Sequence, residues 1–133
     1  MRKKRPMLIS FIKKYFAKIK ACTGAKECIC KLKENGLKIA LLSDFPPEQK
    51  GEVWGIKQYC DVILGTEAVG ALKPSPIAFL EMAKQLEVSP EEILFVGNSH
   101  KFDVKGAKAA GMKSAWFVSR ISSLFHKKSD EAE

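Results

Sequence analysis

Long hydrophobic runs are absent from this sequence. The apolar stretch Met7–Ile12 near the amino terminus has six residues before Lys13 and Lys14 interrupt it. A membrane-spanning helix needs about 20 apolar residues, and a signal peptide needs an apolar core followed by a small-residue cleavage site. The sequence offers neither, so we expect no membrane span and no cleaved signal.

The chain is also poor in the patterns that build zinc sites. It has four cysteines and two histidines, with no Cys-x-x-Cys pair and no histidine near a cysteine. A tetrahedral zinc site needs four ligands at workable spacing, which this pattern does not provide. We expect free, mostly buried thiols in a reducing cytoplasm at Cys22, Cys28, Cys30 and Cys60.

Acidic residues are the scarcer charged type. The chain has 23 lysines and arginines against 15 aspartates and glutamates, a net charge of +8. Eight of the basic residues lie in the first 20 positions, so one alternative is a basic protein that binds an acidic surface through this end. No nucleic-acid-binding motif accompanies the charge, so we expect most lysines to be solvated on helix surfaces rather than bound to nucleic acid.

The amino-terminal segment is predicted to be a basic helix over residues 7–20. Four apolar residues spaced four, four and three apart fall on one face of it: Leu8, Ile12, Phe16 and Ile19. Such a face more often packs on a neighbouring element than touches an anionic membrane. We assign residues 1–22 to this segment, residues 23–126 to an α/β domain, and residues 127–133 to a disordered polar tail.

Helices and short apolar strands alternate along the remaining chain. Strands are predicted over residues 37–42, 62–64, 93–96 and 115–118. Helices are predicted over residues 25–35, 47–58, 77–86, 106–110 and 121–126. This alternation is typical of a parallel sheet covered by helices. We therefore predict a three-layer α/β, Rossmann-like domain with helices on both faces of its sheet.

Residues 93–112 are the most informative stretch. Ile93–Val96 is predicted to be a buried strand, and Asn98, Ser99 and His100 follow Gly97 at its carboxyl end. A helix rich in glycine and alanine comes next, and Gly111 ends it. Ligands of open α/β sheets bind at the carboxyl edge, so this edge is where we expect chemistry.

Polar residues follow three of the predicted strands or the loops after them: Ser43, Lys73, and Asn98 with Asp103. Carboxyl ends of parallel strands share one edge, so these side chains could converge. A lysine ammonium neutralises phosphate, a serine hydroxyl donates to it, and an aspartate offers Mg²⁺ a hard oxygen. Each residue also has an ordinary explanation, as a turn cap, a solvated lysine or a first-turn helix residue.

Three segments carry a family resemblance: Leu41-Leu42-Ser43-Asp44, then Leu72-Lys73-Pro74-Ser75-Pro76, then Val96-Gly97-Asn98-Ser99 with Asp103 and the Gly106–Met112 run. Together they resemble the second, third and fourth motifs of the haloacid dehalogenase-like hydrolase superfamily, in its phosphatase-type members. The resemblance spans roughly residues 25–118. It implies that Ser43 and Lys73 hold the phosphoryl group of a small phosphorylated molecule, and that Asp103 ligates Mg²⁺. Asn98 stands where an aspartate is usual; its amide oxygen can still bind the metal, without the charge.

One family motif is absent. Members begin with an apolar strand ending in Asp-x-Asp, whose first aspartate is the nucleophile. The sequence has no Asp-x-Asp; its aspartates are Asp44, Asp61, Asp103 and Asp130. We therefore assign no catalytic nucleophile, and we do not favour Asp44 as a substitute.

The same absence predicts a gap in the sheet. In the family, the missing strand lies centrally, between those that correspond here to residues 37–42 and 93–96. Its loss exposes two rows of unpaired backbone groups, so these strands close on each other, another chain supplies the missing strand, or the fold is poorly stable. We interpret the chain as the carboxyl-terminal portion of a Mg²⁺-dependent phosphate monoester hydrolase, with little or no activity alone and the helix over 7–20 as a cap remnant. The alternative is a non-catalytic phosphate-binding or protein-interaction module.

Overall fold

The computed structural model describes residues 20–45 and 54–118. The predicted helices over 7–20 and 121–126, most of the helix over 47–58, and the tail at 127–133 lie outside these ranges. The described elements, in chain order, are α1 (Ala25–Glu34), β1 (Ala40–Ser43), β2 (Val62–Gly65), α2 (Thr66–Val69), α3 (Pro76–Leu86), β3 (Leu94–Gly97), α4 (Lys105–Ala109) and β4 (Lys113–Trp116). Short 3₁₀ turns cover Lys57–Tyr59 and Pro90–Glu92, and a π-helical turn, His100–Val104, leads into α4.

Glycine and proline set several helix boundaries. Gly36 and Gly111 both adopt φ of +80° and end α1 and α4, a left-handed conformation that glycine takes without steric cost. Pro76 begins α3, where its missing N–H costs nothing. The loop before α3 contains a cis peptide bond between Lys73 and Pro74.

Two strand boundaries and one turn differ from the prediction. β1 begins at Ala40 rather than Leu37, because the Ile39 N–H is taken by the Asp61 carboxylate at 2.7 Å and Leu37 is half exposed. β4 begins two residues early because the Lys113 N–H donates to the Ile93 carbonyl at 3.0 Å. The turn after β2, where the sequence predicts no helix, is the short helix α2.

Helix α3 lies at the centre of the core. Its inner face buries Phe79, Met82, Ala83 and Leu86. Leu80 is 44% exposed, since it lies a quarter turn away from this face. Helix α4 approaches closely; a Cβ on Gly106 would lie 2.4 Å from the Phe79 ring. The small residues of α4 therefore permit the packing that the sequence predicts.

The described strands form two separate parallel pairs. β1 pairs with β2, from Ala40 opposite Val62 to Ser43 opposite Gly65. β3 pairs with β4, from Leu94 opposite Lys113 to Gly97 opposite Trp116. Among the described strands, β1 and β3 do not pair with each other. The structure is thus a partial α/β, Rossmann-like fold, and its two strand pairs do not close the predicted gap.

Strand β3 is less buried than its apolar sequence predicts. Leu94 and Val96 are each 59% exposed, whereas Phe95 on the opposite face packs against the core. A strand is buried on both faces only when elements cover both. In β3 the described helices cover one face, so the prediction of a fully buried strand is wrong.

Candidate functional site

The carboxyl ends of β1 and β3 and the loop before α3 carry the residues singled out by the sequence. Ser43 is the last residue of β1, and Asp103 lies in the turn that follows β3. Lys73 belongs to the loop that leads into α3. These segments are held on the core by α3, which packs on α4 and on the β1–β2 pair.

Lys73 and Asp103 form a buried ion pair. The Lys73 Nζ atom lies 2.5 Å from Asp103 Oδ1, and the two side chains are 14% and 6% exposed. Asp103 Oδ2 accepts the Ser99 N–H at 3.0 Å, so both carboxylate oxygens are hydrogen-bonded. Two charges this far from solvent persist because they compensate each other.

Gly97 makes room for this pair. A Cβ on Gly97 would lie 2.3 Å from the Cβ of Asp103 and 2.5 Å from its Oδ2. The Asp103 side chain therefore packs directly against the end of strand β3. The sequence predicts Gly97 as a strand stop, and the structure adds that it accommodates the carboxylate.

Ser43 and Asp44 differ in how they are engaged. Ser43 is 1% exposed, and its Oγ accepts the Phe45 N–H at 3.2 Å, which matches the turn-cap interpretation. Asp44 Oδ1 accepts from Thr66 Oγ1 at 2.8 Å and from the Lys73 N–H at 3.2 Å. Asp44 thus joins the end of β1 to two other segments.

Asn98 lies at the same sheet edge and is exposed. Its backbone carbonyl accepts the Trp116 Nε1–H at 3.2 Å, and the Trp116 ring meets His100 edge-on, with centroids 5.2 Å apart. The position of Asn98 is therefore set by its backbone, which follows β3 directly and binds Trp116. Its predicted role as a metal ligand stays a prediction.

The donors at this edge fit Mg²⁺ with few protein ligands. Within residues 20–45 and 54–118, no group of three histidine, cysteine or acidic side chains could hold a metal ion. Mg²⁺ is often held by one or two carboxylates, with water and substrate phosphate completing its shell. The Asp103 carboxylate and the Asn98 amide oxygen provide hard donors of that kind.

Two residues of this edge are not among the predicted site residues. Thr66, completely buried, donates to Asp44, and Ser99 caps the turn by accepting the Phe102 N–H at 3.2 Å. Thr66 directly follows β2, and this position at the end of a strand is the sequence signal that marks it. Ser99 is part of the predicted edge, but the sequence does not indicate its capping role.

A second cluster of charged groups lies at the opposite end of β1, beside α1. The Lys33 ammonium bonds the Asp61 carboxylate, at 2.5 Å and 2.7 Å to its two oxygens, and the Ile39 N–H bonds it too. These contacts hold the pKa of Asp61 below its ordinary value. Partial burial is the larger cause that raises the pKa of Cys60, and the negative charge of Asp61 raises it further.

The four cysteines are free, but the prediction that they are mostly buried is wrong. Cys22 and Cys28 are exposed, and Cys30 and Cys60 are half-buried. Cys28 and Cys30 lie in α1, which buries none of its residues. No helix in the described part of the chain is long and apolar enough to cross a bilayer.

Comparisons with known proteins identify the family. The model of the haloacid dehalogenase-like hydrolase family matches residues 1–117. The chain is 28% identical over 113 residues to a glyceraldehyde 3-phosphate phosphatase of Pyrococcus abyssi, covering 83% of this chain and 48% of that protein. It is 34% identical over 93 residues to haloacid dehalogenase-like hydrolase domain-containing protein 3 of Bos taurus, covering 68% of this chain and 37% of that protein.

A solved structure agrees with the sequence comparisons. The crystal structure of a HAD phosphatase from Thermococcus onnurineus superposes with a TM-score of 0.76 and 29% identity, covering 90% of this chain and 55% of that one. The chain thus belongs to the haloacid dehalogenase-like hydrolases, as its motifs predict. It spans about half the length of the curated relatives that it matches.

Proposed function

We propose that this chain carries the phosphate-binding part of a Mg²⁺-dependent phosphate monoester hydrolase. The observation that carries the proposal is the buried Lys73–Asp103 pair at the carboxyl edge of a haloacid dehalogenase-like fold. The Lys73 ammonium would neutralise phosphoryl oxygens, and the Ser43 hydroxyl at the end of β1 would donate to them. The relative named glyceraldehyde 3-phosphate phosphatase supports a small phosphorylated molecule as the substrate class.

Asp103 and Asn98 would hold the Mg²⁺ ion of this site. When bound, the ion would neutralise charge on the phosphoryl group. Asp103 also pairs with Lys73, so one carboxylate would place the ammonium and the metal beside the same phosphate. Asn98 contributes no charge, so we expect weaker metal affinity than two carboxylates would give.

Covalent phosphoryl transfer also needs an attacking carboxylate. Asp103 accepts from Lys73 and Ser99, and Asp44 accepts from Thr66 and Lys73. Asp61 pairs with Lys33 at the other end of β1. Each aspartate in the described ranges thus already accepts hydrogen bonds from within the protein, and the sequence has no Asp-x-Asp motif, so we infer that this chain alone hydrolyses phosphate monoesters slowly or not at all.

The separation of β1 from β3 suggests where such a carboxylate would come from. The Ile39 carbonyl accepts the N–H groups of Asp61 and Val62, and the Ile93 carbonyl accepts that of Lys113, so these residues point their backbone groups towards β2 and β4. Successive residues of a strand alternate sides, so Leu42, Leu94 and Val96 direct theirs away from those partners. An apolar strand followed by an acidic residue, from another chain or another part of the same polypeptide, would satisfy these groups and reach the site.

Binding of inorganic phosphate tests the proposal most directly. We expect the protein with Mg²⁺ to bind orthophosphate, and Lys73→Ala to weaken binding at least about tenfold, because a charge-assisted contact is lost. Lys101→Ala removes an exposed lysine of the turn after β3 and serves as the matched control. Equal affinity in the wild type and Lys73→Ala, with both folded, would refute the proposed site.

Hydrolysis of p-nitrophenyl phosphate measures the catalytic part separately. We expect little turnover by this chain, and Mg²⁺-dependent turnover after an apolar strand ending in Asp-x-Asp is supplied. Orthophosphate binding that persists without turnover in the completed protein would favour the non-catalytic binding module. The hydrogen-bonded aspartates are the observation that supports this alternative.

We place the protein in the cytoplasm, where its four free cysteines would stay reduced.

A further inference from the structure

Asp44 lies where three segments of the chain meet. It follows the last residue of β1, and one of its oxygens, Oδ1, accepts two hydrogen bonds. The first comes from the hydroxyl of Thr66, a completely buried residue that begins α2. The second comes from the backbone N–H of Lys73. One carboxylate oxygen therefore ties the ends of β1 and β2 to the loop before α3.

The backbone contact fixes the origin of the Lys73 side chain. A lysine has a long, flexible stem, so its ammonium is well placed only when its main chain and its tip are both held. Asp44 holds the main chain at 3.2 Å, and Asp103 holds the tip at 2.5 Å. The two aspartates thus act on opposite ends of the same residue.

We propose that Asp44 is a positioning residue that sets the affinity for phosphate through Lys73. The inference rests on the proposed function, because it assigns Asp44 to the same site. Its carboxylate receives its donors from within the protein, so it acts on the geometry of the site rather than as the attacking group. The bonds need an acceptor at Oδ1 and no negative charge, since both donors are neutral.

Three substitutions separate this role from others. Asp44→Ala removes both contacts, Asp44→Asn keeps a carbonyl acceptor, and Thr66→Val removes one donor while keeping the shape of the side chain. We expect Asp44→Ala to weaken orthophosphate binding about tenfold, a loss that fits one or two neutral-donor hydrogen bonds. Asp44→Asn should stay within about threefold of the wild type, and Thr66→Val should fall between them.

A general loss of stability would speed hydrogen exchange at many amides, whereas loss of the Asp44 contact should speed exchange at the Lys73 amide in particular. Exchange at Lys73 therefore distinguishes the two effects. We expect this amide to exchange faster in Asp44→Ala than in the wild type, with little change at Met82 in the core of α3. Asp44→Asn should retain its protection. Across the variants, lower phosphate affinity should accompany faster exchange at Lys73.

Two results would overturn the proposal. One is an Asp44→Ala protein that binds phosphate weakly while its Lys73 amide stays protected; the other is an Asp44→Asn protein as impaired as Asp44→Ala. If Asp44→Ala does not fold, Thr66→Val and Asp44→Asn make the same comparison. A wild type that does not bind orthophosphate would refute the proposed function. Faster exchange at Lys73 in Asp44→Ala would still show that Asp44 holds the Lys73 backbone.

Discussion

The ion pair of Lys73 and Asp103 shows how much one contact can depend on its surroundings. Surface ion pairs contribute little to stability because water screens them. This pair is largely buried, so removing one partner leaves an uncompensated charge in a region of low polarity. The same burial that would strengthen its interaction with a phosphate makes each partner necessary to the other.

Lys73→Met should therefore destabilise the protein, by on the order of 3 kcal/mol, since the Asp103 carboxylate would lose its charged partner. Lys84→Met is the matched control: Lys84 Nζ lies 3.9 Å from Glu81 Oε2, and the Lys84 side chain is 80% exposed. Its effect should be under about 0.5 kcal/mol. Urea unfolding of both variants measures the difference in the free energy of unfolding. Similar losses in the two variants would show that the buried pair contributes no more to stability than the exposed pair.

Among the elements, α1 is attached to the sheet through polar contacts more than through burial. It buries none of its residues, and Lys33 near its end pairs with Asp61, just before β2. Asp61 also accepts the Ile39 N–H before β1. One exposed carboxylate thus connects a helix to the starts of two neighbouring strands.

The pH dependence of Asp61→Asn follows from that arrangement. Lys33, the larger cause, and the Ile39 N–H lower the pKa of Asp61 in the folded protein. A lowered folded pKa means that the carboxylate stabilises the fold above the ordinary aspartate pKa, about 3.9, and that this contribution is lost as the pH falls through the folded value.

Wild type should therefore be more stable than Asp61→Asn at pH 6, and the difference should shrink steadily below about pH 4. Thermal unfolding across this range measures it. Glu91→Gln, in the exposed turn before β3, is the control for loss of an acidic side chain. A wild-type advantage that grows on acidification would contradict the assignment.

The sequence predicts elements well where local chemistry decides them. Gly36 and Gly111 end their helices as expected, because a left-handed residue stops a helix regardless of its neighbours. Strand edges are less predictable, as Leu37 and Lys113 show, since distant hydrogen bonds decide where pairing begins. The Lys73 and Asp103 positions follow from the family motifs, but the Thr66–Asp44–Lys73 connection depends on three segments meeting in space.

At the scale of the whole molecule, two parallel strand pairs share one helical core. Such pairs are marginal by themselves, and α3 packs against both. The edges of β1 and β3 that point away from β2 and β4 carry backbone groups that need partners. Within the described part of the chain no strand pairs with either edge, so a further strand is expected there.

Hydrogen exchange should reveal these edges directly. The amides of Leu94 and Val96 point away from β4, so we expect them to exchange faster than the amide of Phe95, which points towards it. NMR of the protein as it stands measures all three under identical conditions. Slow exchange at Leu94 and Val96 would mean that something already covers the edge of β3.

Phe79 joins helix α3 to strand β3 and helix α4. Its ring is fully buried on α3, meets Phe95 of β3 edge-on with centroids 4.8 Å apart, and leaves no space for a Cβ on Gly106. A ring so enclosed can rotate by half a turn only when its walls briefly separate. The rate at which Phe79 flips therefore measures how often the core between α3, α4 and β3 opens.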